Sequence, residues 1–296
     1  MKKKEYYYYY FDERNDDFAE NNINGKQTPE NYKYLPKNIF YRILKPIVYY
    51  LVLPIVSLAV TFMGVRIKNA KVINNRKDRK KGFFIYSNHT GSVRDVFSAP
   101  KVSFPRQCYA VANPDAISIP GIKLLVKFLG VLPVPSSVKT YGNFKAAIDE
   151  VYEKGCAVSI FPEAHIWPKY NEIMDFSDVS FYYPLELDAP CFVKTTVYIK
   201  KKNGKVKPCM ICDGPFYPDK TLPRREAQAK LRNQVRDTMI MRTEQYGSCL
   251  DSRHHYIKVA SPDEVRTKKK KPKSPVCFGH TGDFLSLVKN FRKKIY

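Results

Sequence analysis

His89 and Asp95 stand six residues apart in Ser87-Asn88-His89-Thr90-Gly91-Ser92-Val93-Arg94-Asp95, directly after a short apolar run, Gly82 to Tyr86, that reads as a buried strand. Six positions on a helix turn through about 600°, so the two would not share a helical face; they can meet on a loop, which Gly91 loosens. A carboxylate that holds one imidazole nitrogen fixes the tautomer and leaves the other nitrogen free to take a proton. The chain has no Gly-x-Ser-x-Gly nucleophile elbow, so the simplest chemistry is direct deprotonation of a substrate hydroxyl by His89. The alternative is structural: a His that caps a turn and an Asp that caps a helix from Val96. A second apolar run, Ala157 to Phe161, leads into Pro162-Glu163-Ala164-His165. Two strand ends that carry ionisable groups are what an α/β enzyme site looks like in sequence.

Such groups need a scaffold, and from about residue 67 strands and helices alternate. Val65–Ile73, Gly82–Ser87, Gln107–Ala112 and Val158–Phe161 read as strands, while Ile117–Leu129 and Tyr141–Lys154 have helical apolar spacing, the latter stopped by Gly155. Cys191–Lys200 and Val206–Asp213 are β-rich and joined through Asn203-Gly204, a hairpin signal, and Leu222–Tyr246 reads as a long polar helix. The expected fold class is α/β: a mostly parallel sheet flanked by helices with an antiparallel edge hairpin, preceded by an apolar membrane-associated helical segment. That segment, Ile47 to Val65, holds nineteen residues without a charge, with Arg42 and Lys45 before it, Arg66 and Lys68 after it, and Pro54 near its middle. A single span, a kinked hairpin dipping into one leaflet and a buried core helix are its three readings. The chain divides into a polar, mobile N-terminal segment (1–36), the membrane-associated segment (37–66), an α/β domain (67–247) and a basic C-terminal tail (248–296).

Net charge is +23, from 51 basic and 28 acidic residues, and the first thirty residues run against it with five basic and seven acidic. Such a surface favours anionic partners, among them anionic lipid headgroups and phosphorylated substrates. Residues 268–296 hold nine Lys or Arg and one acid, and Phe284–Tyr296 reads as a short basic amphipathic helix. Nucleic acid is not expected as a partner, because no reading motif occurs and an uncharged nineteen-residue run is poor company for one. The seven Cys show no framework spacing, and the lone Cys209-x-x-Cys212 lacks the second pair that a closed zinc site needs, so no metal is expected. Aromatic residues make up 14% of the chain, including five consecutive tyrosines, Tyr6–Tyr10, for which no mechanism offers itself.

The order of these features resembles the glycerolipid acyltransferase family, the 1-acylglycerol-3-phosphate acyltransferase type, over roughly residues 45–215. Asn88-His89 with Asp95 matches the family's His…Asp block. Pro120-Gly121 with Gly130-Val131-Leu132-Pro133-Val134 resembles its second block, Phe161-Pro162-Glu163 its third, and Ala189-Pro190 before a β run its fourth. The resemblance implies transfer of a fatty acyl group from a thioester, acyl-CoA or acyl carrier protein, to a lipid hydroxyl. His89 would be the general base and Asp95 its orienting partner. Asn88, Arg94, Lys139, Glu163 and His165 would form the substrate-binding set, and the thioester would serve as co-substrate with no cofactor. Three departures stand out. Five residues, not four, separate His89 from Asp95; Ser136 stands where the second block ends in Arg; and Ala164-His165-Ile166 replaces the Gly-Thr-Arg that continues the third. Phosphate recognition favours the Arg fork, so a phosphorylated acceptor is less well supported than the transfer itself. The expected location is a membrane, at its cytoplasmic face. A non-catalytic lipid-binding protein on the same fold is the competing reading. Trp167 is expected to pack, His254-His255 to lie on the surface, and Asp175 or Asp178 to cap a helix from about Val179.

Overall fold

The computed structural model describes residues 5–18, 27–74, 80–117, 123–261, 264 and 276–278. In chain order the elements are β1 (Tyr6–Tyr10), α1 (Ile39–Phe62), β2 (Arg66–Lys68), α2 (Lys71–Asn74), β3 (Phe83–Ser87), α3 (Ser92–Ser103), β4 (Cys108–Ala112), α4 (Lys123–Phe128), β5 (Val131–Pro133), α5 (Val138–Glu153), β6 (Ala157–Ile160), α6 (Tyr182–Leu187), β7 (Cys191–Lys200), β8 (Val206–Phe216), α7 (Arg224–Gln245), β9 (His254–Lys258) and β10 (Val276–Phe278). A seven-stranded sheet runs β2-β8-β7-β3-β6-β4-β5, and every pairing in it is parallel except β7–β8. The mostly parallel sheet and the antiparallel hairpin are as the sequence implies. The hairpin is not the edge, however, because the three residues of β2 pair outside β8; strand pairing in Val65–Ile73 stops at Lys68, and α2 follows.

All five residues of β3 are buried, as a central parallel strand covered on both faces requires. Alternate residues serve two cores. Phe84 and Tyr86 pack with Phe144, Ile148 and Val151 of α5 and Leu231, Val235 and Met239 of α7, while Phe83 and Ile85 pack with Ala99 and Val102 of α3 and Ile73 of α2. Thus α3 lies on one face of the sheet and α5 and α7 on the other.

The apolar segment forms one helix that continues through Pro46 and Pro54, with Asn38 accepting the Tyr41 N–H at its start. The helix is neither buried nor free. Tyr41, Lys45, Tyr49, Leu53 and Val60 face the domain. Contacts run from the first turn, where Tyr41 donates to the Lys127 carbonyl (3.2 Å), through Lys45 on Gln107 (2.7 Å) and Tyr49 accepting the Cys108 N–H (2.9 Å), to the last turn, where Lys101 reaches Thr61 (2.6 Å). The outward face carries exposed Phe40, Ile43, Ile47, Leu51, Ile55 and Phe62.

The N-terminal segment departs most from expectation. Residues 5–18 are docked by strand pairing: β1 pairs in parallel with β9 on one side and β10 on the other. Alternation along the tyrosine run turns Tyr6, Tyr8 and Tyr10 to one face, where they meet Phe18, Trp167, Met174, Tyr170 and Tyr256. The polar composition concealed an aromatic stripe that buries itself. Trp167 packs as expected, fully buried, and its Nε1–H donates to the Asp16 carbonyl (2.8 Å). His254 is not on the surface: it is buried in β9, its Nδ1 2.9 Å from the Tyr8 hydroxyl. Likewise, what reads as a tail from residue 248 contributes β9 to this sheet, whereas Phe284–Tyr296 lies outside the described residues. Phe18→Ala removes one ring from the centre of this cluster and should cost about 3 kcal/mol locally. The expected result is faster backbone amide exchange across residues 6–18 and 254–258, with the central strands β3 and β7 unchanged.

Candidate active site

Because β3 and β6 are parallel neighbours (Tyr86 opposite Ile160), both chains leave the sheet at the same edge, and the two motif loops lie side by side. Glu163 joins them. Its Oε2 accepts the His89 backbone N–H (2.7 Å) and its Oε1 the Met174 N–H (3.1 Å). Both carboxylate oxygens therefore hold backbone, so Glu163 positions the His89 loop. Burial pushes its carboxyl up from 4.5 to about 8, against the two N–H donors that favour ionisation.

Asn88 extends the sheet beyond β3. Its side chain accepts the Thr196 N–H (2.8 Å) and donates to the Thr196 carbonyl (3.0 Å), which copies a strand pairing onto β7. This too is a structural task rather than a substrate contact.

His89 stacks on Phe161, with ring centroids 4.2 Å apart, and its Nδ1 lies 3.4 Å from Asp95 Oδ2. The helix begins at Ser92, earlier than Val96, with Gly91 as its cap residue. The extra residue between His and Asp is absorbed there: the Thr90 and Gly91 N–H groups both donate to Asp95 Oδ2 at 2.7 Å. Capping and histidine orientation are one arrangement, not alternatives. Asp95 is fully buried, and burial alone would raise its carboxyl. Arg94, the His89 hydrogen bond and Lys194 outweigh that and hold it below the usual carboxylate range. With Nδ1 turned to Asp95, Nε2 is the His89 nitrogen left for a substrate proton.

The remaining cations expected at the substrate are committed elsewhere. Arg94 reaches Asp95 Oδ1 (3.2 Å), the Tyr198 hydroxyl (2.6 Å) and Thr90 Oγ1 (3.3 Å); it braces the His89 loop. Lys139 is exposed and pairs with Glu30 (3.1 Å). It follows β5, three strand positions from β3, or roughly 14 Å at the usual strand spacing. Ser136 accepts the Thr28 N–H (2.8 Å), and Pro120-Gly121 lies outside the described residues. His165 faces Asp17 at 3.9 Å, and the Ile166 N–H donates to the same carboxylate (2.8 Å). Ala164 has φ +62°, the left-handed conformation that suits glycine, so the family's glycine at this place matches the backbone seen here.

Two residues of β7 belong to the site although the sequence reading passed over them. Lys194, fully buried, donates to Ser98 Oγ (2.7 Å) and to the Asp95 carbonyl (3.4 Å); burial lowers its pKa. Tyr198 bonds Thr90 Oγ1 at 2.9 Å and receives Arg94. A lysine inside the apolar run Cys191–Val197 was the available signal. Among the described residues no cluster of His, Cys, Asp or Glu has the form of a metal site.

The Glu163 shift sets a pH dependence. Between pH 4.5 and about 8 the unfolded chain has released a proton that the folded chain keeps, so from this group stability falls as pH rises through that window and levels off above it. Glu163→Gln offers one acceptor to two N–H groups. The variant should be less stable than wild type at pH 5 and should lose less stability between pH 5 and 8, as read from urea unfolding at both values.

The acyltransferase family model matches residues 65–200, the stretch from just before β2 to the end of β7. In fold the chain is similar to the crystal structure of the 1-acyl-sn-glycerophosphate (LPA) acyltransferase PlsC from Thermotoga maritima, with a TM-score of 0.50 at 16% identity over 73% of this chain and 86% of that one. No curated protein matches by sequence. The matched stretch contains β3, β6 and both motif loops, and over it the chain is similar to the acyltransferase family, with the glycerolipid type as the one its motifs resemble.

Proposed function

We propose that this protein is a membrane-associated enzyme that moves a fatty acyl group from acyl-CoA or acyl carrier protein to a hydroxyl of a lysophospholipid or related lipid. The observation that carries this reading is the His89–Asp95 pair (3.4 Å) at the end of the central strand, its carboxylate buried and ionised and its loop held by Glu163. His89 Nε2 takes the acceptor hydroxyl proton as the oxygen attacks the thioester carbonyl; the thiolate leaves and collects the proton from the imidazolium. Asp95 stabilises that imidazolium. Direct transfer forms no acyl-enzyme, and the thioester is the only co-substrate it requires.

The membrane association rests on α1, which is long and apolar enough to cross a bilayer. Its attachment to the domain from Tyr41 to Thr61 favours a different placement. The helix lies in the plane of one leaflet with its outer face in lipid, and exposed Lys33, Lys37 and Arg42 at one end and Arg66, Lys68 and Lys71 at the other meet anionic headgroups. The cytoplasmic face is the side on which acyl-CoA and reduced thiols are at home.

His89→Ala should lower acyl transfer by about 10²–10⁴-fold without loss of fold, measured on membranes with labelled donors and a panel of lipid acceptors. Equal activity in wild type and variant would instead favour the non-catalytic lipid-binding reading. For the helix, cysteines placed one at a time at Lys37 and Lys68 should both react with an impermeant maleimide from the same side of sealed vesicles; a spanning helix would expose them on opposite sides.

A further inference from the structure

Three arginines converge on one carboxylate beside the catalytic loops. Arg232 and Arg236, one helical turn apart on α7, lie 3.5 and 3.6 Å from Asp175 Oδ1, and Arg14 of the N-terminal segment pairs with the other oxygen. The spacing puts Arg232 and Arg236 on one face of the helix, on the stripe begun by Gln228, which donates to the Asp178 carbonyl (2.7 Å). Asp175 is thus no helix cap. It is the single anion shared by three cations, and the group carries a charge of about +2. The Arg232 and Arg236 side chains are about a quarter exposed, yet the Arg232 Nε–H is buried without a hydrogen-bond acceptor and the Arg236 Nε–H has only the distant Asp175 Oδ1, at 3.6 Å. Buried donors left unmade are costly, and a set of guanidinium forks with spare N–H groups fits a tetrahedral dianion.

Its position matters. Asp175 follows Met174, whose N–H holds Glu163, which in turn holds His89. Arg236 is close enough to act electrostatically on Glu163. The cluster stands on the α7 face of the sheet, opposite the face that α3 and α1 cover. The other candidate cations are used elsewhere: Arg94 on Asp95 and Tyr198, Lys139 on Glu30.

We propose that Arg14, Arg232 and Arg236 form a phosphate-binding site for a substrate of this enzyme, taking over the role of the arginines absent from the second and third motifs. As a substrate subsite it rests on the acyltransferase reading above. The phosphate belongs either to the lipid acceptor or to the nucleotide part of the thioester donor, and kinetics distinguish the two.

The test is an Arg232→Gln/Arg236→Gln double variant, with Arg14→Gln as a milder surface variant, assayed with acyl-CoA or acyl-pantetheine as donor and with 1-acylglycerol-3-phosphate or 1-acylglycerol as acceptor. The expected result is a KM raised about tenfold or more for the phosphate-bearing partner alone, with kcat nearly unchanged. A rise confined to the phosphorylated acceptor assigns the site to the lipid, and one confined to acyl-CoA assigns it to the donor. A uniform loss with every substrate pair, or no change, overturns the proposal. Inorganic phosphate supplies a readout besides turnover. At matched ionic strength it should raise the melting temperature of wild type and not of the double variant; equal protection of both also overturns the site. If phosphate protects only wild type while no substrate pair turns over, the anion site stands and the acyltransferase reading falls.

Discussion

Asp95 is a charge without solvent, and the arrangement around His89 follows from keeping it one. A fully buried carboxylate is tolerable only when its oxygens are filled and cations lie close. Here two backbone N–H groups, Arg94 and His89 fill them, with Lys194 behind. The same contacts fix the turn from Ser87 to Ser92, start α3 and set the tautomer of the histidine. Arg94 and Lys194 are held in turn by Tyr198, Thr90 and Ser98. The carboxylate that orients His89 is therefore part of the core, and its geometry is set by the fold itself.

Glu163 is the counterpart on the next strand. A buried acid that accepts two N–H groups locks the β3 and β6 loops together, and Trp167 and Lys169 repeat the connection by donating backbone N–H groups to the His89 and Thr90 carbonyls (3.1 and 2.9 Å). One side of this assembly meets α3 and the apolar helix; the other meets α7 and its arginines.

Much of the domain was legible in the sequence because the buried parallel strands are short, apolar and bounded by Gly or Pro. The Asn-Gly hairpin and the polar helix Arg224–Gln245 follow from local chemistry alone. The His–Asp pair and Glu163 were legible from type and spacing, but which atoms they hold was not. Glu163, Asn88 and Arg94 turned out to grip backbone and side chains of the domain, an outcome fixed by partners as much as 108 positions away. The docking of the N-terminal segment was not legible because a window rich in Asp, Glu and Asn hides an alternating aromatic face whose partners, Trp167 and Tyr256, lie far along the chain. The Arg232–Asp175 and Arg236–Asp175 pairs escaped for the same reason.

The strand of tyrosines has a consequence for the order in which the molecule is made. β1 is made well before its partner β9, which begins only at His254. At ordinary rates of synthesis that separation is roughly 12–50 s. For that time Tyr6–Tyr10 is an unpaired aromatic strand, the kind of segment that chaperones cover. The loop that carries Glu163 and Trp167 is made in the interval and is clamped from outside only when β9 arrives. The edge that carries His89 and Glu163 is therefore completed late, after the central sheet that bears it has its strands.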